Sequence, residues 1–149
     1  VWEPGAHAGT FRGNQLAMKA GTIVLNTVSK PEFLKEVTRK SELIQKRMNA
    51  LKSKVKIIGD FRGKGLMLGT EFIDPKGKKD VLGSYPACGE IAAQVQKLCF
   101  QNGLIVEKGG RNGAVMRFLC ALNITDEDLN KGLDIFEKAV LQVNKNQIN

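Results

Sequence analysis

Leu16, Ala20, Ile23, Val24, Thr27 and Val28 recur every three or four residues, so an amphipathic helix is predicted from Asn14 to Ser29. Asn14 suits the N-cap, and Lys30-Pro31 ends this helix while Pro31 opens the next. The second helix, Pro31 to Ser53, places Leu34, Val37, Ser41, Ile44, Met48 and Leu51 on one stripe. The period then shortens to two. Leu66, Leu68, Thr70 and Phe72 alternate with Met67, Gly69, Glu71 and Ile73, the pattern of a half-buried strand. Glycines at 59, 63, 65 and 69 read as turns and close backbone approach on the way into it.

Residues 74–87 form a polar loop. A helix follows over 89–102, with Ile91, Val95, Leu98 and Cys99 inward and Gly103 in the left-handed position after its end. Two short strands, 104–107 and 114–119, flank the glycine-rich run 109–113 as a hairpin would. Thr125 caps a last helix whose first turn holds Asp126, Glu127 and Asp128, and whose inner side carries Leu129, Leu133, Phe136, Val140 and Val143. The polar tail beyond Asn144 is expected to fray. The class is therefore α+β: an antiparallel sheet of about three strands, covered by helices on one face and preceded by two helices.

Composition narrows the choices. The 149 residues are 42% hydrophobic and 26% charged, enough for one domain with its own core and unlike a disordered chain. No apolar run approaches the ~20 residues of a membrane span. Cys88, Cys99 and Cys120 form no C-x-x-C pair and His7 is the only histidine, so reduced, buried thiols are expected and no metal site. The net charge of +8 sits mostly between Lys30 and Lys64, where eleven basic residues face four acidic ones. The two aromatics there, Phe33 and Phe61, fall within apolar patterns, so a solvated helix face is preferred to a nucleic-acid surface.

Two places can carry chemistry. In His7-Ala8-Gly9-Thr10-Phe11-Arg12-Gly13-Asn14 a hydroxyl and glycine-flanked amides precede a helix N-terminus, which favours an anion such as phosphate; an ordinary capped helix start accounts for the same residues. Arg117 interrupts the apolar strand Val115-Met116-Arg117-Phe118-Leu119 and needs a carboxylate, either an internal one or that of a small substrate. Arg62-Gly63-Lys64-Gly65-Leu66 reads as a basic turn. No Ser-His-Asp or Cys-His set can be assembled around His7, which argues against a self-contained hydrolase.

Three segments together resemble the class III (subgroup II) aminotransferases. Gly5 to Ala17 is similar to the stretch after the cofactor lysine of that family, and Phe61 to Phe72 to the approach to its C-terminal small domain. Met116-Arg117-Phe118-Leu119 with Leu122-Asn123-Ile124-Thr125 is similar to its closing strand and last helix cap. The wording Gly-Thr-Phe-Arg-Gly-Asn-Gln most resembles the diaminobutyrate–2-oxoglutarate aminotransferase branch. The resemblance implies the C-terminal part of a fold-type I pyridoxal-phosphate enzyme. Residues 1–29 would be a cofactor loop and interdomain helix, the tail of a large domain, and 30–149 the C-terminal small domain. It further implies that Thr10 binds the phosphate of pyridoxal 5′-phosphate held by the neighbouring subunit of a homodimer, and that Arg117 holds the α-carboxylate of glutamate or 2-oxoglutarate. Where the family has two prolines after this strand, the chain has Cys120-Ala121.

The family's Schiff-base lysine lies upstream of the Thr10 loop, and no lysine here stands in that motif. With Val1 at its start, the chain is expected to be the C-terminal third of a cytoplasmic enzyme, with no catalytic residue of its own and inactive alone. The expected reaction moves an amino group from L-2,4-diaminobutanoate to 2-oxoglutarate. Ornithine, acetylornithine or 4-aminobutanoate remain alternative donors, and a non-enzymatic basic binding module is the alternative of another class.

Overall fold

The computed structural model describes residues 3–148; Val1 and Trp2 of the expected loop, and Asn149 of the expected tail, lie outside the described residues. The chain divides into two compact units, one up to Glu36 and one from Val37 onward.

In the first unit, turns closed by Arg12 N–H to Gly9 O and Asn14 N–H to Phe11 O lead into α1, Gln15–Val28. The Asn14 side chain accepts from Ala17 N–H at 3.0 Å, the expected N-cap. None of α1 is buried among the described residues, and Leu16 stands 83% exposed. Helix α2, Pro31–Lys52, begins with the proline, whose missing N–H costs nothing at a first turn.

The second unit is built on a four-stranded antiparallel sheet of order β1-β2-β4-β3, with β1 at Ile58–Lys64, β2 at Met67–Phe72, β3 at Glu107–Gly109 and β4 at Val115–Leu119. The strand missing from the sequence expectation is β1. Its glycines and charges hide any alternation, and it exists because its backbone pairs with β2 from Ile58 opposite Phe72 to Lys64 opposite Met67. At Gly63, with φ at +150°, a Cβ would lie 2.2 Å from Met67 O, so only glycine fits that approach. The other hairpin is shifted: residues 104–106 are not strand, and a short 3-10 turn at Arg111–Gly113 joins β3 to β4.

Leu68, Thr70 and Phe72 of β2 and Met116 of β4 face inward. They join Ile44, Met48 and Leu51 of α2, Ile91, Val95 and Cys99 of α3 (Gly89–Gln101), and Leu133, Phe136 and Val140 of α4 (Asp126–Ile148) in one apolar core. Phe136 packs edge-to-face on Phe118 at 4.9 Å between centroids. Burial pushes the thiol of Cys99 up to about 11, while Cys88 and Cys120 are only half buried, less than expected. Helix α4 is capped by Thr125, whose Oγ1 accepts from Asp128 N–H at 3.0 Å. It does not fray after Asn144 but continues to Ile148. Asn144 is itself buried and accepts from Lys56 N–H at 2.9 Å, which anchors the last turns.

Candidate functional site

The sheet has two unlike faces. One meets the core; the other carries the polar side chains. Residues directly opposite on paired strands share a face, so the register places Arg62, Gly69, Arg117 and Glu107 in one row across all four strands. The adjoining row holds Asp60, Glu71, Val115 and Gly109. Adjacent strands lie about 4.8 Å apart, so the first row runs arginine, glycine, arginine and glutamate across the sheet.

Arg117 meets an internal carboxylate there: its Nη2 donates to Glu107 Oε1 at 2.5 Å. The Nε of Arg117 is buried and has no acceptor among the described residues. A Cβ on Gly109 would lie 3.0 Å from Nη2 and 3.4 Å from the guanidinium carbon, so the guanidinium rests against the bare glycine backbone. A cavity of about 250 Å³ opens beside it, lined by Leu104, Ile105, Glu107, Arg117, Leu119 and Cys120 among others. Position 107 was not singled out in the sequence, because the contact depends on hairpin register, not on a local motif.

Arg62, in the same row, is held differently. Its Nη1 donates to Glu71 Oε2 at 2.7 Å and to Asp60 Oδ2 at 2.8 Å. The Glu71 bond first, and then that to Asp60, hold the guanidinium pKa above its ordinary value. Burial opposes ionisation of Asp60, but the bonds from Arg62 and Phe61 N–H and the charges of Lys52 and Arg62 together hold its carboxyl below the usual range. Of the segment read from the sequence as a turn, Arg62 lies in β1 at the centre of an ion-pair cluster.

The segment after β4 is stapled to α2. Lys40, nearly buried, donates from Nζ to Ile124 O at 2.6 Å, and Arg39 grips both carboxylate oxygens of Asp126 at 2.7 and 2.9 Å. Further along α2, Arg47 pairs with Glu137 at 2.7 Å and Asp134 at 2.6 Å. Two of the six basic residues of this helix, Arg39 and Arg47, therefore face acids of α4.

Thr10 stands exposed in the first unit, between Gly9 and the Asn14-capped start of α1. It belongs to a different unit from Arg117. Among the described residues no group of three or more histidines, cysteines or carboxylates could hold a metal ion, and no helix is long and apolar enough to cross a membrane.

The comparisons with known proteins agree with one another. The family model for aminotransferase class-III matches residues 1–140. Diaminobutyrate–2-oxoglutarate aminotransferase of Haemophilus influenzae is 38% identical over 97% of this chain and 32% of its own length. That of Rhizobium meliloti is 41% identical over 88% of this chain and 28% of its own. The mitochondrial acetylornithine aminotransferase of Saccharomyces cerevisiae is 36% identical over 91% and 28%. Among solved structures, the ornithine aminotransferase of Toxoplasma gondii superimposes with a TM-score of 0.74 at 25% identity, over 99% of this chain and 31% of that one. The chain thus spans about a third of the length of the curated relatives it matches. It belongs to the class III aminotransferase family.

Proposed function

From that membership we propose that this chain is the C-terminal portion of an aminotransferase that moves an amino group from L-2,4-diaminobutanoate to 2-oxoglutarate, giving aspartate semialdehyde and L-glutamate. The observation that carries the reading is the 38% identity, over 97% of the chain, to an enzyme named for that pair of substrates. Residues 1–29 would be the tail of the large domain and 30–149 the small domain.

Pyridoxal 5′-phosphate is the cofactor of this reading; when bound, it supplies the electron sink for transamination. The donor set here fits one edge of it. Thr10 offers an exposed hydroxyl just ahead of a helix N-terminus, and in a homodimer it would donate to the phosphate of the cofactor held by the neighbouring subunit. Arg117 would hold and orient the α-carboxylate of glutamate or 2-oxoglutarate through its fork of N–H donors. Its buried, unpartnered Nε supports that role, since a donor in that state is stabilised by an arriving carboxylate oxygen. The lysine that anchors the cofactor is not supplied by this chain, which alone is inactive on this reading.

The test uses the full parent reading frame with pyridoxal phosphate and 2-oxoglutarate, measuring glutamate formed from 2,4-diaminobutanoate, ornithine, N-acetylornithine and 4-aminobutanoate. Preference for diaminobutanoate supports the reading. Preference for another donor replaces the substrate while leaving the reaction, and activity with none of the four removes the substrate assignment. Borohydride trapping of this chain alone with the cofactor should label scattered surface lysines; one stoichiometric adduct would contradict its inactivity.

A further inference from the structure

The loop between β2 and α3, residues 74–86, carries two apolar neighbours in full contact with water: Val81 is wholly exposed and Leu82 is 86% exposed. Single apolar residues on a surface are ordinary, but two side by side on an ordered tip call for a partner. The loop is closed at its base, where Asp74 N–H donates to Pro86 O at 2.9 Å and Ile73 bridges Ala87. Its tip is locked around one carboxylate. Asp80 Oδ1 accepts from Leu82 N–H and Ser84 N–H, both at 2.9 Å. Gly83 N–H donates to Asp80 O at 3.0 Å and Asp80 N–H to Ser84 O at 2.9 Å, with Gly83 at φ +80°. From Asp80 to Ser84 every N–H except that of Val81 is therefore bonded within the tip. Such a knob can leave water without stranding its backbone donors.

Positive charge stands beside it. Lys76, Lys78 and Lys79, on the leg leading to the tip, are exposed, and none is ion-paired among the described residues. Lys79 Nζ lies 4.6 Å from the centre of the Tyr85 ring, which ties the two legs together. An apolar tip, an aromatic ring with a polar end and flanking ammonium groups match a lipid surface, from the acyl boundary to anionic headgroups. A folded protein fits less well. A stable interface takes about 800 Å² from each side, more than a five-residue tip supplies, whereas a bilayer needs only shallow insertion of a few apolar atoms together with charge.

We propose that the 74–86 loop docks the protein on anionic membrane surfaces. Val81 and Leu82 enter the boundary between headgroups and acyl chains, and Lys76, Lys78 and Lys79 meet the anionic phospholipid headgroups. Two modest contributions act together, so the docking is peripheral and reversible, and it weakens as salt rises. Neither Thr10 nor Arg117 takes part, so the docking is independent of the proposed activity.

The full parent protein is sedimented at low salt with vesicles of phosphatidylcholine alone and of phosphatidylcholine mixed with phosphatidylglycerol. It should bind the mixed vesicles about tenfold or more tightly than the neutral ones. The double variant Val81→Ser, Leu82→Ser should bind them about tenfold more weakly, and so should the triple variant Lys76→Gln, Lys78→Gln, Lys79→Gln. Unchanged circular dichroism and unfolding midpoints show that the variants fold. In Leu82→Trp, the emission added over that of the wild type should shift to the blue on mixed vesicles and be quenched by brominated lipid. Absence of binding to mixed vesicles overturns the proposal. Binding that survives the serine substitutions lies elsewhere on the protein and overturns it too, as does equal affinity for neutral vesicles. Emission from Leu82→Trp that is already blue-shifted without vesicles would mean that the rest of the parent chain covers the tip, which also overturns it.

Discussion

Helices α1 and α3 are nearly the same length, 14 and 13 residues, and both are amphipathic, yet they end in opposite circumstances. Ile91, Ala92, Val95 and Cys99 of α3 are buried against the sheet and α4, whereas α1 buries none of its residues. Apolar spacing tells which side of a helix seeks burial, but a cover has to be supplied by something else in the fold. The region from Val37 onward brings that cover with it, in the form of β2, β4 and α4. In the region up to Glu36, Leu16, Met18, Ile23 and Leu25 remain at the surface.

The largest expected difference comes from the core. Phe136→Ala should lower unfolding free energy by about 3–5 kcal/mol, because a fully buried ring leaves a cavity behind. Leu16→Ser on α1 should change it by no more than about 0.5 kcal/mol. Urea midpoints of both variants check the pair, and an equal loss would show that α1 is part of the same cooperative unit. Next in size is Arg117→Ala in the parent enzyme. On the proposed reading of Arg117 as the carboxylate receptor, loss of a charged hydrogen-bonding group of about 1.5–3 kcal/mol should raise KM for 2-oxoglutarate tenfold or more, read from initial rates.

The two N-caps give a smaller and sharper contrast. Thr125→Ala should cost about 1 kcal/mol of global stability, because α4 is woven into the core. Asn14→Ala should lower helical circular dichroism and leave the unfolding midpoint in place. The smallest effect is a pH dependence. The carboxyl of Asp60 is held below its ordinary value in the fold, so the stability it contributes is full above the ordinary range, about pH 4, and is lost as pH falls through the lowered value. The melting-temperature difference between wild type and Asp60→Asn should therefore be constant from pH 7 to about 4 and shrink below that.

Much of this could be read from sequence because it is local. Asn14, Thr125 and Gly103 mark helix ends through their own backbone and side-chain chemistry, and the stripes of α2 and α4 follow from spacing. Strand β1 escaped because Ile58-Gly59-Asp60-Phe61-Arg62-Gly63-Lys64 carries no clear alternation; its pairing with β2 is a tertiary fact. Fraying is expected from the polar residues beyond Asn144, but the buried bond of Asn144 to Lys56 N–H spans 88 residues and leaves no local signal. At the candidate site, Arg117 was visible as a charge in an apolar strand. Glu107 was not, since ten residues separate the two and only the hairpin register brings them opposite.

The buried Cys99 gives the molecule a built-in recorder. Its thiol has no exposure and is pushed up to about 11, so in the closed structure it is both shielded and protonated, and alkylating reagents need a thiolate they can reach. A mass increment at Cys99 therefore marks each chain that has opened its core, and labelling rates under native conditions convert to the free energy of that opening when reclosing is fast. The half-buried Cys88 and Cys120 mark the same chain on a different clock, so one time course separates local breathing near the sheet from cooperative unfolding.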